Sequence, residues 1–227
     1  MLQKLLAILL AVSLLAGCTA APVETTGADT RQHVYELEDF CYHIPAVDLP
    51  GINAREMNQK LYDTYETLLQ EVVFGKPREE LFLLGLCYEI GRKDDVVSVT
   101  VLHVRDCDLN DYGVYHFSAT TGKELTDDAV FAAFGMTPEQ GRMTVRNAME
   151  AHWDRMGEVE TKEDLFYLEQ KEETLADSNI NAVRPLIAEN GELQFVGEFY
   201  SLAGADSYMY RFNQKGELIQ MTCTEHN

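Results

Sequence analysis

The chain has 227 residues, of which 46% are hydrophobic and 25% charged, the composition of a globular protein with ample core material rather than of a disordered one. It carries 38 acidic against 18 basic side chains, a formal net charge of −20 at pH 7. A surface of that sign repels phosphate backbones, so nucleic acid is not expected as a partner, whereas a basic protein is compatible with it. The alternative is an acidic surface that serves solubility alone.

The N-terminal segment has the pattern of a bacterial export signal. Lys4 precedes an apolar run, Leu5–Leu15, of 11 residues, whereas a membrane-spanning helix needs about 20. The following Leu-Ala-Gly-Cys sequence, which ends at Cys18, resembles the lipobox of bacterial lipoproteins at all four positions. In that family the cysteine thiol is acylated and the signal is cleaved before it. We therefore expect a signal peptide over residues 1–17 and a lipid anchor at Cys18 on the extracytoplasmic face of the membrane; the alternative is an ordinary signal whose cysteine has no role.

The region after the cysteine divides into a linker and one domain. Residues 18–31 lack apolar periodicity and are rich in Thr, Ala and Gly, which predicts a flexible lipidated tether ahead of a single domain at 32–227. The remaining cysteines are Cys41, Cys87, Cys107 and Cys223. Up to two disulfides are chemically allowed outside the cytoplasm, and their pairing is left open. Cys87 lies in an apolar run, which favours a buried thiol, and no bridge is predicted.

The predicted elements alternate between strands and helices in chain order. Strands are predicted over 33–44, 81–90, 96–105, 113–120, 182–189, 193–202, 208–212 and 218–223, and helices over 53–74, 126–135, 137–157 and 161–177. Asn53 with Glu56, and Thr137 with Gln140, have the spacing of reciprocal N-terminal caps. Asn190-Gly191 is a strong hairpin signal. The order predicts an α+β fold, a mostly antiparallel sheet with helices packed on one face.

The stretch DCDLNDYG, which begins at Asp106, is a candidate calcium loop. Asp106, Asp108 and Asn110 supply oxygen ligands at the first, third and fifth positions. Asp111 stands where such a loop needs glycine, however, and Phe117 stands where it needs glutamate. Because Asp and Asn are also common in turns, the sequence favours a plain connection between two strands over a bound calcium ion.

Signals for catalysis are missing from the sequence. The six histidines show no paired metal-binding spacing, although His103 and His116 flank the same turn and could face each other across it. Nucleophile motifs, a phosphate loop and a dinucleotide fingerprint are absent. Carboxylates are so numerous that a catalytic pair cannot be identified from spacing. The sequence therefore favours a protein that is not an enzyme.

A ligand-binding loop is predicted near the C-terminus. A strand breaks at Ala203-Gly204-Ala205-Asp206, and three tyrosines surround the break. Tyr200, Asp206, Tyr208 and Tyr210 could form a ligand-facing loop with aromatic walls. The alternative is a tight hairpin whose tyrosines pack against the helices.

The order of these pieces resembles a known domain of unknown function. The segment YHIPAVDLPGINAREMNQKL at 42–61, and above all the strand, turn and helix within VYHFSATTGKELTDDAVF at 114–131, carry the resemblance, which covers about residues 33–213. That domain occurs in the extracytoplasmic halves of lysozyme-sensing anti-sigma factors and ahead of the catalytic domain of some peptidoglycan deacetylases. The glycine-rich Gly-Ala-His segment common in the family is replaced by DCDLNDYG, and no anti-sigma segment or deacetylase domain is present. None of the family's ligand-binding residues is carried over.

The resemblance implies a cell-envelope domain that binds a muramidase or a wall polymer without cutting it. Together with the lipobox it predicts a membrane-anchored extracytoplasmic lipoprotein that binds or senses a cell-envelope or cationic protein ligand. Two alternatives remain open: an envelope hydrolase that uses an unrecognised carboxylate pair, and a purely structural envelope component.

Overall fold

The computed structural model describes residues 23–26, 33–37, 40–105, 109–156, 165–201 and 207–221. The predicted signal peptide and Cys18 lie outside these ranges. The described residues confirm the α+β class, with five α-helices and two mostly antiparallel sheets. None of the described helices is long and apolar enough to cross a membrane.

The first sheet contains six strands in chain order. They are β1 (Val23–Thr26), β2 (His33–Leu37), β3 (Phe40–Ile44), β4 (Leu83–Lys93), β5 (Val96–Arg105) and β6 (Asp111–Ser118). Neighbouring strands are antiparallel except β3 and β4, which are parallel. The outermost strand, β1, falls within the segment predicted as a tether.

The second sheet and most helices belong to the C-terminal half. Its strands are β7 (Arg184–Ile187), β8 (Leu193–Tyr200), β9 (Ser207–Asn213) and β10 (Leu218–Ile219), in the spatial order β10-β9-β8-β7. The helices among the described residues are α1 (Arg55–Val72), α2 (Asp127–Ala133), α3 (Pro138–Met156), α4 (Leu165–Thr174) and α5 (Asp177–Ala182), with a 3-10 turn at Arg78–Glu80. Asn190-Gly191 forms the predicted turn between β7 and β8, with φ 80° at the glycine.

The two faces of the first sheet pack against different parts of the protein. In β5 the side chains of Val97, Val99 and Val101 pack against α1, whose predicted apolar stripe is buried. On the opposite face of the same strand, Ser98 and Thr100 are buried toward the second sheet. Alternation along one strand therefore gives the first sheet an apolar face and a partly polar face.

The second sheet is covered by helices and contacts the first sheet directly. Three phenylalanines of β8 and β9 pack with residues of α2 and α3 in one cluster. The sheets meet through Val114, Leu186, Ala188 and Val196. They approach so closely that a Cβ at Gly91 would collide with the carbonyl of Ile187, so a glycine is required there.

The two predicted helix caps have different outcomes. The Thr137 prediction is confirmed, since its N–H donates to Gln140 Oε1 at 2.8 Å and Gln140 N–H donates to Thr137 Oγ1 at 3.3 Å. The Asn53 prediction is wrong, because α1 begins at Arg55 behind Ala54, without a side-chain cap. The physical reason is tertiary: Asn53 N–H donates to Ala119 O at 2.9 Å, which ties this residue to the end of β6.

Two further sequence expectations are corrected. The helix predicted over 161–177 is interrupted, and α4 and α5 are separated at Ala176, whose ψ of 144° is not helical. Cys87 is disulfide-bonded rather than a buried thiol, with a partner outside the described residues. An apolar neighbourhood predicts burial, but it cannot show which cysteine the fold brings opposite.

Candidate functional site

A groove opens where the chain leaves the first sheet and enters α1. Ile44 ends β3, Pro45 begins the connection, and the chain reaches α1 after a turn at Pro50-Gly51, where Gly51 has φ 76°. The groove has a volume of about 460 Å³ and is lined by Ile44, Pro45, Ala46, Arg55, Asn58, Gln59 and Tyr62. A second concavity of similar volume is lined by residues 46–49, 52–55 and 58 and shares Ala46, Arg55 and Asn58 with the groove.

Helical periodicity explains why α1 presents these side chains together. Arg55, Asn58, Gln59 and Tyr62 follow the spacing i, i+3, i+4 and i+7, which places them on one face. This polar stripe runs beside the apolar stripe that α1 buries against the first sheet. The helix therefore anchors itself with one face and lines the groove with the next.

Asn58 fastens the wall of the groove to the helix. Its Oδ1 accepts a hydrogen bond from Val47 N–H at 2.7 Å, and its Nδ2 donates to Val47 O at 3.0 Å. Both polar groups of the amide are thus used by one residue of the connection. Asn58 is a positioning residue, and ligand contacts are left to its neighbours.

The chemistry of the groove comes from Arg55, Gln59 and Tyr62. In the part of the chain that the structure describes, the Arg55 guanidinium makes no ion pair or side-chain hydrogen bond, and it is exposed. Gln59 Nε2 donates to Asp63 Oδ1 at 2.8 Å, which leaves its amide oxygen as an acceptor. Sequence patterns do not single out any of these residues. The available signal is the polar stripe that follows the Pro-Gly connection at helical spacing.

The predicted aromatic loop is only partly within the described residues. Asp206 lies outside them, whereas Tyr200 pairs with Ser207 and Tyr208 pairs with Phe199 in the β8–β9 hairpin. The ring of Tyr210 lies 5.8 Å from Phe199 and 6.2 Å from Tyr208. None of the three tyrosines lines the groove or the second concavity. Because Asp206 lies outside the described residues, the ligand-facing loop stays a prediction.

The candidate calcium ligands are likewise divided. Asp106 and Asp108 lie outside the described residues. Asn110 Oδ1 accepts a hydrogen bond from Arg105 N–H at 3.2 Å, and the neighbouring Asp111 pairs with the Arg105 guanidinium at 3.2 Å. The described ranges contain no group of three or more side chains that could hold a metal ion.

His103 and His116 lie on opposite faces of the first sheet, so the expectation that they face each other is wrong. In the β5–β6 register His103 lies opposite Asp111, while His116 lies opposite Ser98. His103 Nε2 is 3.3 Å from Tyr65 OH on the α1 side. Burial lowers the pKa of His103 although Asp111 opposes the shift. Because side chains alternate along a strand, flanking one turn does not place two residues on one face.

A serine, a histidine and an aspartate form a buried chain on the other face. Ser98 Oγ lies 3.0 Å from His116 Nδ1, and His116 Nε2 lies 3.2 Å from Asp127 Oδ1. Arg184 Nε lies 2.9 Å from the other carboxylate oxygen. Burial alone would raise the pKa of Asp127, but His116 and Arg184 outweigh it and hold this pKa below its usual range.

The Ser98–His116–Asp127 network contains the residue types of a catalytic triad, but it is enclosed in the interior as a structural contact would be. Ser98 is fully buried, and its Oγ accepts a hydrogen bond from Ile187 N–H at 3.1 Å. Neither the groove nor the second concavity reaches it. A substrate carbonyl cannot approach a hydroxyl that is enclosed in this way. The role of the Ser98–His116–Asp127 network is therefore to connect the two sheets.

A second buried contact joins the sheets a few residues away. Arg211 is 3% exposed and binds Glu89 through two hydrogen bonds of 2.7 and 2.9 Å, while its Nε donates to Gln194 at 2.6 Å. Burial would raise the pKa of Glu89, but hydrogen bonds from Arg211 and from Glu189 N–H lower it. Both charged groups of this ion pair therefore have hydrogen-bond partners among the described residues.

The outer surface of α4 is acidic and partly apolar. Glu169, Glu172 and Glu173 are exposed, and Leu168 on the same helix is 48% exposed. Its only basic residue, Lys171, is paired with Asp154 at 2.9 Å. We call this surface the acidic face of α4.

Comparison with known proteins gives no match: no family model, no curated protein and no solved structure corresponds to this chain. The family resemblance in the sequence accordingly stays an expectation.

Proposed function

We propose that this protein is a membrane-anchored extracytoplasmic lipoprotein that binds a cell-envelope or cationic protein ligand and catalyses no reaction on it. The observation that carries the binding role is the lining of the groove. With the Asn58 amide held by Val47, the lining offers a ligand the Arg55 guanidinium, the Gln59 amide and the Tyr62 phenol, which can recognise it by hydrogen bonds and charge. The described residues of that lining include no carboxylate, histidine or cysteine.

Two features support the proposed location. The Leu-Ala-Gly-Cys sequence ending at Cys18 is the acceptor pattern for lipid attachment. The disulfide of Cys87 favours an oxidising compartment, because cytoplasmic thiols are kept reduced. An anchor at Cys18 would leave the folded body facing outward from the membrane.

Mass spectrometry of the protein purified from its native membrane tests the location. We expect an N-terminus that begins at Cys18 and carries the added mass of a diacylglyceryl group. A chain that retains residues 1–17, or a Cys18 without lipid, would remove the anchor from the proposal.

The charge of the protein supports a basic protein as ligand. The formal net charge of −20 attracts cations over a Debye length of about 10 Å at 0.1 M salt. The acidic face of α4 adds exposed apolar contact area to that charge, which is the combination that a basic amphipathic surface would match. We therefore propose this face as the contact surface for such a protein.

Titration with a cationic muramidase tests this surface. The mature chain with Cys18→Ser should bind it at micromolar concentration in low salt, and the affinity should fall about tenfold or more by roughly 0.3 M salt. The triple variant Glu169→Gln, Glu172→Gln, Glu173→Gln should bind more weakly than the control Glu71→Gln, Glu79→Gln, Glu80→Gln, which removes the same charge from exposed positions elsewhere. Equal affinities for the two variants would exclude the acidic face of α4.

The hydrolase alternative receives no support from the described carboxylates. The pKa shifts that are resolved for Glu89, Asp95, Asp127 and Glu139 are all downward, whereas a general acid needs a raised pKa. None of the four lines the groove.

A further inference from the structure

Among the arginines that the structure describes, Arg55 is the one whose guanidinium has no contact with a carboxylate, a carbonyl oxygen or an aromatic ring. Each of the other eight arginines in the described ranges contacts a carboxylate, a carbonyl oxygen or an aromatic ring, and they are Arg78, Arg92, Arg105, Arg142, Arg146, Arg155, Arg184 and Arg211. The described lysines Lys76, Lys123 and Lys215 also lack an ion pair, but none of them lines the groove. Arg55 lies in the lining of the groove, where its guanidinium could bind a ligand.

The groove and the second concavity differ in the charge that accompanies Arg55. Asp48 lines the second concavity, and its carboxylate would repel an anion there. None of the described residues that line the groove carries a carboxylate. In the groove, a negatively charged group bound to Arg55 therefore meets no like charge from the described lining.

We propose that the groove binds a small sugar-like molecule that carries an oxyanion, either a carboxylate or a phosphate, and that Arg55 binds this oxyanion. The proposal deepens the proposed binding role and rests on it for the ligand's extracytoplasmic source. A guanidinium forms paired hydrogen bonds with a carboxylate or a phosphate, and Arg55 gives up no internal partner to do so.

The remaining lining suits the uncharged part of such a ligand. Tyr62 and Pro45 offer flat apolar surfaces for a sugar ring, and the amide oxygen of Gln59 can accept a hydrogen bond from a hydroxyl. A volume of about 460 Å³ is within the range of small-molecule sites and is suited to one or two sugar units.

The net charge of the protein cannot account for affinity toward an anion. The net charge of −20 repels an anion at a distance, so any affinity for one has to come from groups that touch it. This separates the groove from the acidic face of α4, which is proposed to attract a ligand of the opposite charge.

The test is a titration of the mature chain with Cys18→Ser, followed by NMR of the backbone amides, with glucuronic acid, glucose 6-phosphate and glucose as probes. We expect one of the two acids to bind at millimolar concentration or tighter and to shift the amides of Ala46, Gln59 and Tyr62. Glucose should bind about tenfold more weakly or not at all, because it lacks the group that Arg55 recognises. The acid that binds more tightly identifies the oxyanion as a carboxylate or a phosphate.

Variants assign the effect to Arg55. Arg55→Gln should weaken binding of the preferred acid about tenfold, and Arg55→Lys should weaken it less, because the charge remains but the paired geometry is lost. Arg92→Gln is the matched control, since it removes the same charge from an exposed residue that does not line the groove. Unchanged melting temperatures would show that the variants fold.

Two results would overturn the proposal. One is the absence of shifts at the groove amides with either acid up to about 20 mM, a concentration at which even a weak small-molecule site fills. The other is a loss of affinity in Arg92→Gln as large as that in Arg55→Gln. Neither result depends on lipid at Cys18 or on binding of a muramidase, so this failure is distinguishable from failure of the proposed function.

Discussion

Arg211 and Arg55 are opposite extremes among the described arginines of this acidic protein. Arg211 lies between the sheets, 3% exposed, with two hydrogen bonds to Glu89 and one to Gln194. Arg55 lies at the rim of the groove, and the described residues give it no counter-ion. A buried charge needs its partner, because removing that partner leaves the charge uncompensated, while an exposed charge without a partner is available to a ligand.

The largest effect is expected from breaking the buried pair. Glu89→Leu leaves the Arg211 guanidinium buried with only Gln194, and we expect a loss of about 3 kcal/mol in the free energy of unfolding. The double variant Glu89→Leu, Arg211→Met removes both charges and should recover more than half of that loss. Urea denaturation measures all three chains, and a single variant that loses less than about 1 kcal/mol would refute a structural role for the pair.

A smaller loss is expected from the buried serine. Ser98→Ala removes the acceptor of Ile187 N–H and the neighbour of His116 Nδ1, which leaves two buried polar groups without partners. We expect a loss of about 1–3 kcal/mol. Thr67→Ala is the control, because it removes an exposed hydroxyl bonded within α1, and it should cost no more than about 0.5 kcal/mol. Equal losses would show that the contact between the sheets is dispensable.

Acid should destabilise the protein in two steps. Burial lowers the pKa of His103 and of His152, so as pH falls through about 6.5 the unfolded chain takes up protons that the folded chain does not, and stability falls. The lowered pKa values of Glu89 and Asp127 act in the same direction below about pH 4. The free energy of unfolding measured from pH 7.5 to 3 should show both steps, and the upper step should shrink in His103→Gln combined with His152→Gln.

The smallest effect is expected at the groove. Arg55→Gln removes a charge that has no partner in the described chain, so the free energy of unfolding should change by no more than about 0.5 kcal/mol. A loss comparable to that of Glu89→Leu would mean that Arg55 is a structural residue, and the contrast between the two arginines would disappear.

Local patterns predicted the elements better than their contacts. The strand 96–105 and the cap at Thr137 match the structure because alternation and capping are set by residues close in sequence. Asn53 has the same local pattern as Thr137, but Ala119, which is distant in sequence, binds its N–H, so the helix begins two residues later. Element boundaries fail where a tertiary partner competes with the local one.

The groove was less predictable than the fold. Arg55 looks in the sequence like any exposed helical arginine, and only the three-dimensional arrangement shows that no described carboxylate joins it in the lining of the groove. The same limit explains Cys87 and the opposed histidines, since pairing and facing are properties of register and not of composition.

The amide of Asn58 gives Val47 the two hydrogen bonds that a neighbouring strand would otherwise supply. The groove is consequently preorganised in the absence of ligand. Binding therefore avoids an ordering cost of about 0.5–1.5 kcal/mol for each side chain that is already held in place. Asn58 positions the connection, whereas Arg55 is the residue proposed to contact the ligand. Substitution of Arg55 should therefore change ligand specificity without disturbing the structure around it.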